Sequence, residues 1–391
     1  MTAERPLLLV TGATGFAGRT IVRALQEAGF RVRGQYHHRP GQNPAVDWVA
    51  WDFLQSLDVG PLVEGCAGVV HLAAALTACD EMERLNVQTP QALARAAQKA
   101  GVGYFAHASS IVVYGSPKSP LVTEASPRID PAKPLGAQYR AEPFMLRYAC
   151  TKVMGEKALE ALRPTMQVDI LRPVVVADGA RLLEIADWSR SRKAVTLYRR
   201  TQYIAETDAA AAVAHLAQRG VAAPIPGVEA YNIAYDASAT FRQLCAYAYA
   251  RTGDRRFAPV IEAPFLPDVA KDLLRFRTLE MRYPFGAMEV SAAKLYATGF
   301  KPPSIWLWRT STQTAPQLKP LSGDGLRMPS AAAPRLGEAC RPPDRPPRRM
   351  CRHWRIPAAP GTGRFPPADW AFRAALQTAR KRHQGSSRPP R

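Results

Sequence analysis

The chain has 391 residues, long enough for a substantial core and for two domains more readily than one. Its 47% hydrophobic and 21% charged residues exclude wholesale disorder, a collagen and a disulfide-stapled miniprotein. The net charge of +20 is uneven: residues 301–391 hold 18 Lys/Arg against 4 Asp/Glu and 16 of the 35 prolines, so the basicity belongs mostly to the tail.

Cys66, Cys79, Cys150, Cys245, Cys340 and Cys351 form no CxxC pair and no Cys/His cluster with zinc spacing. Neither a metal site nor a disulfide framework is therefore expected. Scattered thiols suit a reducing, cytoplasmic setting. The N-terminus lacks a signal-peptide core, and no run approaches the about 18 apolar residues of a membrane-spanning helix.

In chain order, Pro6–Thr11 is a continuous apolar run that suits a buried parallel strand. Ala17, Ile21, Ala24, Leu25 and Ala28 recur at helical spacing, and Gly29 sits where a helix would stop. Strands are expected at Arg31–Tyr36, Asp47–Trp51 and Gly68–Ala73. Pro90–Ala100 reads as a helix closed by Gly101, and Val102–Ser109 as a fifth strand. Tyr148–Leu162 is helical and Val168–Val176 is one more apolar strand. This alternation predicts an α/β fold, a Rossmann-type doubly wound parallel sheet.

Residues 1–178 make up the expected nucleotide-binding domain. A smaller substrate domain is expected over residues 179–303, with helices at Ala209–Gln218 and Ser238–Thr252 and a strand at Ala230–Ala234 that can return to the sheet. From 304 to 391 the Pro/Arg-rich composition predicts a disordered basic tail, with one weak helix at Asp369–Arg382.

Three segments carry chemistry. Gly12, Gly15 and Gly18 lie between the first strand and the first helix, where glycine lets the backbone approach a pyrophosphate and the helix N-terminus favours an anion. Tyr148 and Lys152 are four apart on a helix and share a face, so the ammonium can lower the phenol pKa toward the working pH. Tyr114 and Lys118 have the same spacing, but Gly115 and Pro117 make that segment a turn. Ser109 and Ser110 fall at the carboxyl end of the fifth strand, the edge at which open α/β sheets bind ligands.

Together these segments resemble the extended short-chain dehydrogenase/reductase family, of the NAD(P)-dependent sugar epimerase/dehydratase type, over about residues 6–303. TGATGFAG is similar to its nucleotide loop, which includes Thr14 and Phe16. HLAA, with Ala73 and Ala74, is similar to its fourth-strand motif, and Asn86-Val87 to its Asn-Val helix start. SSIVVYG and YACTK resemble its catalytic segments, Arg172-Pro173 its Arg-Pro pair, and GFKP at 299–302 its final motif. The resemblance implies Ser110, Tyr148 and Lys152 as catalytic residues, Lys152 also binding the nicotinamide ribose. It implies a cofactor site of Gly12, Thr14, Gly15, Phe16, Gly18, Asp52, Ala73, Ala74 and Pro173, with Asp52 near the adenine. A homodimer through the helices at 90–100 and 148–162 is implied in the same way.

Two departures bear on the reaction. Dehydratases of this type carry an Asp-Glu pair after the catalytic hydroxyl residue, whereas Ile111 and Val112 stand here, which argues against 4,6-dehydration. The second strand ends in Gln35-Tyr36-His37-His38-Arg39 without a carboxylate, and Arg39 favours NADP over NAD. Expected chemistry is hydride transfer, as an epimerase or a reductase, at a carbinol carbon of a nucleotide sugar or related substrate. Arg181, Arg190, Arg192, Arg199 and Arg200 suit a diphosphate or a solvated basic face equally well. The alternative is a nucleotide-sensing or scaffold protein without turnover. The tail is open to three readings: a nucleic-acid or acidic-partner segment, an extension without a partner, or translation in a shifted frame.

Overall fold

The first apolar run forms a strand because both of its faces are covered. Leu8 and Val10 of β1 (Leu7–Thr11) join a core with Ile21, Val22 and Leu25 of α1 (Phe16–Glu27). Leu9 joins the opposite core with Leu93, Ala94 and Ala97 of a later helix. Each fully buried aliphatic side chain contributes about 1.5–3 kcal/mol. A computed structural model describes residues 5–77, 80–177, 184–236, 238–258, 260, 282–283 and 287–303. Arg181, Cys79, Cys340, Cys351 and the whole tail, with its expected helix at 369–382, lie outside the described residues.

The remaining strands are β2 (Arg31–Tyr36), β3 (Val46–Ala50), β4 (Gly68–His71), β5 (Tyr104–Ala108), β6 (Leu121–Val122), β7 (Gln167–Pro173), β8 (Val175–Ala177), β9 (Tyr203–Ala205), β10 (Gly227–Ile233) and β11 (Glu289–Val290). Seven of them form one sheet in the order β3-β2-β1-β4-β5-β7-β10, and every pairing is parallel. The chain first runs outward from β1 to β3, then returns to β4 on the other side. The switch point between β1 and β4 opens the crevice where such sheets bind ligands.

The helices after α1 are α2 (Gly60–Val63), α3 (Thr89–Lys99), α4 (Leu135–Gln138), α5 (Pro143–Ala161), α6 (Arg190–Thr196), α7 (Glu206–Ala222), α8 (Phe241–Thr252) and α9 (Ala293–Ala297). α1 and α7 cover one face of the sheet, α3 and α5 the other. Thr20 of α1 donates to Glu206, and Gln218 donates to the Ala28 carbonyl, fastening α7 to α1. A separate small core gathers Trp188, Leu197, Phe241, Leu244 and Phe257. Among the described residues no helix is long and apolar enough to cross a membrane, and no group of three possible metal ligands occurs.

Three elements differ from their expected form. The strand expected over Val168–Val176 breaks after Pro173, where β7 ends and β8 leaves to pair with β9. Proline cannot donate to a ladder, and the next two amides choose different partners: Val174 N–H donates to Ile233 O, Val175 N–H to Gln202 O. α5 starts five residues before Tyr148, because Pro143 stands at the first turn, where a missing N–H costs nothing. α8 starts at Phe241 instead of Ser238, set by a capping box between Thr240 and Gln243. β10, part of the segment after 178, returns to the central sheet as its edge strand.

Asp169 of β7 is fully buried and accepts hydrogen bonds from Tyr104 Oη at 3.1 Å and Gln167 Nε2 at 3.0 Å. Burial pushes its carboxyl up to about 6, the two hydrogen bonds and the Arg219 and Lys294 charges opposing only in part. A folded-state pKa above the unfolded one favours folding at low pH, and that contribution is lost as pH rises through 6. The penalty at neutral pH is on the order of 3 kcal/mol. Asp169→Asn is expected to stabilise the protein by about 1–2 kcal/mol at pH 7.5, with the gain vanishing near pH 4.5. Urea unfolding at the two pH values checks this; a pH-independent difference would contradict it.

Candidate active site

The turn after β1 is built by close backbone approach. Gly12 has φ +65°, and a Cβ there would meet Ala73 N at 3.0 Å. A Cβ on Gly18 would lie 2.2 Å from the Gly12 carbonyl oxygen, so only glycine lets α1 start directly against the turn. Gly15 caps α1 without a side-chain hydrogen bond, and no acidic residue stands in its first turn. The N-terminal N–H groups thus keep their affinity for an anion. Thr14 and Phe16 flank this turn, Phe16 being 41% exposed.

The floor under the turn comes from β4. Thr11 Oγ1 accepts from Leu72 N at 3.1 Å and Ala73 N at 3.2 Å, so its own hydrogen goes to His71 Nδ1, 2.7 Å away. His71 therefore carries its proton on Nε2. It stacks on His107 at 5.5 Å, and burial, then the Lys152 charge, push the His71 pKa down to about 3. Both rings are neutral, with His107 held far below the ordinary value for the same reasons. Gln35 reaches in from β2: its Oε1 accepts from Gly12 N at 2.9 Å and its Nε2 donates to Trp51 O at 2.7 Å. Sequence reasoning assigned Gln35 no such role. The only local signal was a polar residue inside a buried strand.

At the outer rim, His37, His38 and Arg39 are exposed just past β2. The two imidazoles lie 3.9 Å apart, and His37 Nε2 is 3.4 Å from Asp52 Oδ2. Asp52 follows β3 and is half-buried. Ala73, Ala74 and Pro173 are half-buried at the carboxyl ends of β4 and β7.

Ser110 and Tyr148, 38 positions apart in sequence, come together. Ser110 caps the 3-10 turn Ile111–Tyr114, accepting from Val112 N at 3.4 Å, and its hydroxyl stands near enough to the Tyr148 phenol to favour the phenolate. Lys152 Nζ donates to Ala108 O at 2.7 Å and lies 5.8 Å from the centre of the Tyr148 ring. Desolvation pulls Lys152 down to about 8, while Glu156 opposes. Burial raises the Tyr148 phenol above its ordinary value, and the Ser110 hydrogen bond only partly offsets this. The expected lowering of the phenol pKa by Lys152 is therefore not found. Desolvation outweighs it, and the ammonium is spent on a backbone carbonyl.

Ser109 faces Glu156 instead of Tyr148, donating to its Oε1 at 2.5 Å. Glu156, absent from the expected site, is fully buried and paired with Arg172 and Arg128. Ile111 and Val112 are buried in the 3-10 turn. Asn86 lies in a π-helical turn before α3, where its amide bridges both polar groups of Ala75 and reaches Thr151. A Cβ on Gly155 would lie 2.3 Å from Asn86 O, so glycine sets how closely α5 approaches that turn. Of the arginine cluster, Arg200 pairs with Glu289 at 2.9 Å and Arg192 stacks on Trp188 at 4.4 Å.

Residues 8–177 match the family model described as the NAD dependent epimerase/dehydratase family. Over 170 residues the chain is 28% identical to a ceramide reductase of Caulobacter vibrioides, covering 42% of this chain and 45% of the relative. Over 130 residues it is 36% identical to a dTDP-glucose 4,6-dehydratase of Streptomyces antibioticus, covering 28% and 38%. Over 178 residues it is 31% identical to a UDP-glucose 4-epimerase of Mycolicibacterium smegmatis, covering 41% and 52%. The chain thus spans about half or less of the length of these relatives. Among solved structures, MoeE5 in complex with UDP-glucuronic acid and NAD superposes with TM-score 0.52 at 21% identity, over 76% of this chain and 94% of that one. Vestitone reductase from alfalfa gives TM-score 0.57 at 19% identity, over 77% and 94%. At those identities the likeness establishes the fold.

Gly18→Ala is expected to cost about 1–3 kcal/mol, because its Cβ collides with a backbone oxygen that the turn cannot move. Gly15→Ala, whose Cβ would stand 3.1 Å from the same oxygen, is expected to cost less. Thermal unfolding of the two variants decides it, and equal losses would contradict the packing described.

Proposed function

We propose that the chain, whose residues 8–177 match the model of the NAD dependent epimerase/dehydratase family, is an NAD(P)-dependent reductase or epimerase acting at a carbinol carbon of a nucleotide sugar or related substrate. The observation that carries this reading is the approach of the Ser110 hydroxyl to the Tyr148 phenol, one helical turn from Lys152. A non-catalytic nucleotide binder would have no use for that acid/base pair.

Tyr148 gives its proton to the substrate oxygen in reduction and takes it back in oxidation. Its raised pKa keeps it protonated at neutral pH, which suits the reductive direction. Ser110 holds the same oxygen, and the Lys152 cation stabilises the phenolate left behind. The nicotinamide supplies or accepts the hydride. Gly12, Thr14, Gly15, Phe16 and Gly18 would hold its pyrophosphate, Asp52 the adenine side, and Ala73, Ala74, Pro173 and Lys152 the nicotinamide half. An epimerase would return the hydride to the opposite face of the keto intermediate; a reductase would release its product after one transfer.

Two finer points follow from residue chemistry. Ile111 and Val112 offer no proton-transfer group beside Ser110, which argues against dehydration. The absence of a carboxylate at the end of β2, with Arg39 exposed beyond it, favours NADP.

Denaturing purified protein and identifying any released nucleotide by mass tests the reading first. Retained NAD supports a recycling epimerase, an empty site that binds NADPH supports a reductase, and binding of neither overturns both. Tyr148→Phe is expected to lower kcat by about 100- to 10,000-fold with NADPH affinity within about twofold. Arg39→Ala is expected to weaken NADPH binding by about tenfold or more and NADH binding little. Because Lys152 is a cation only below about 8, the reductive rate should fall as pH rises past that value.

A further inference from the structure

We infer that Glu156 is a positioning residue for the Ser110–Tyr148 pair, clamping the end of β5 to the helix that carries Tyr148 and Lys152. This rests on the reading above. Tyr148, Lys152 and Glu156 recur every four residues and share one face of α5. Three consecutive residues at the end of β5 meet that face one by one. Ala108 O accepts from Lys152 Nζ at 2.7 Å, Ser109 Oγ donates to Glu156 Oε1 at 2.5 Å, and the Ser110 hydroxyl stands beside the Tyr148 phenol. The result is a three-point latch in which the central point holds the backbone from which Ser110 projects.

The carboxylate is itself fixed. Arg172 donates from Nε to Oε1 at 3.0 Å and from its terminal nitrogen to Oε2 at 2.7 Å, and Arg128 donates to Oε2 at 2.8 Å. With Ser109, all four acceptor positions are filled. Arg172 continues to Tyr114 Oη at 2.9 Å and Glu124 O at 3.2 Å, and Tyr114 Oη donates to Asn232 Oδ1 at 2.7 Å. A buried ion pair seldom outperforms well-packed apolar residues in stability alone. Its value here is where it holds Ser109.

Glu156 also acts on Lys152. The groups facing Lys152 are Tyr148 and Glu156 from α5, His71 from β4 and His107 from β5. Glu156 is the one anion in this set, since the imidazoles are neutral and the phenol keeps its proton. It therefore helps Lys152 keep its charge at neutral pH.

The test uses full-length protein carrying Glu156→Gln, Glu156→Asp and Ser109→Ala. Glu156→Gln is expected to lower kcat at least tenfold, leave the NADPH Kd within twofold, and move the alkaline limb of kcat to lower pH by half a unit or more. The same shift should appear in the Lys152 titration followed by NMR of 13C-lysine-labelled protein, which needs no turnover. Glu156→Asp should restore the titration but not kcat. Ser109→Ala, which spares the ion pairs, should lower kcat about fivefold and lower the melting temperature less than Glu156→Gln does, with the Lys152 titration retained. An unmoved Lys152 titration in a folded Glu156→Gln variant overturns the proposal, as does full kcat in Ser109→Ala. Absence of turnover in the unaltered chain would instead count against the proposed reaction, while the titration still decides the role of Glu156.

Discussion

A carboxylate with no exposed surface has lost its water and needs other partners at each acceptor position, and Glu156 finds them in three separate parts of the chain. Arg172 arrives from β7, Arg128 from the loop after β6, and Ser109 from the end of β5. Leaving out the Arg172 partner would strand a buried charge, at a cost of about 3–5 kcal/mol. The ends of β5 and β7, helix α5 and the 3-10 turn at Tyr114 therefore cannot be arranged independently of one another.

The other half of the site is set by a different device. Around Gly12 shape and hydrogen bonds from side chains to backbone groups do the work. Gln35 and Thr11 each bridge the glycine turn to a neighbouring strand end, and the absence of side chains at Gly12 and Gly18 sets how near the backbone segments come. The neutral His71–His107 stack feels the Lys152 charge and adds no competing cation to it.

The parts of this arrangement that the sequence made legible are those set by near neighbours. The glycine turn is eight consecutive residues, and Tyr148 and Lys152 are related by one helical turn. The strands β1 to β5 and the helices α1, α3 and α5 followed from periodicity for the same reason, whereas the short α2, α4 and β6 left no periodic signal. What escaped notice depends on partners far apart: Gln35 acts 23 positions from Gly12, and Glu156 acts 47 positions from Ser109. The break after Pro173 was hidden inside an apolar run, because hydrophobicity does not reveal that Val174 and Val175 turn to different strands. The net effect of burial on Tyr148 was likewise beyond spacing rules, since four-residue separation says nothing of how much water is excluded.

The order of strands across the sheet also governs when the molecule can assemble. Every ladder is parallel and non-local: Leu8 registers with Gly68, and Gly227 with Gln167. Such pairings must close long loops before any contact rewards them, so this sheet belongs with slowly folding topologies. During synthesis the glycine turn leaves the ribosome first, yet its floor at Ala73 follows 61 residues later. The outermost strand supplies Asn232 to Tyr114 across 118 residues. A nascent chain thus owns its glycine turn well before it can secure the end of β5 against α5, and the Tyr114 stitch waits on β10.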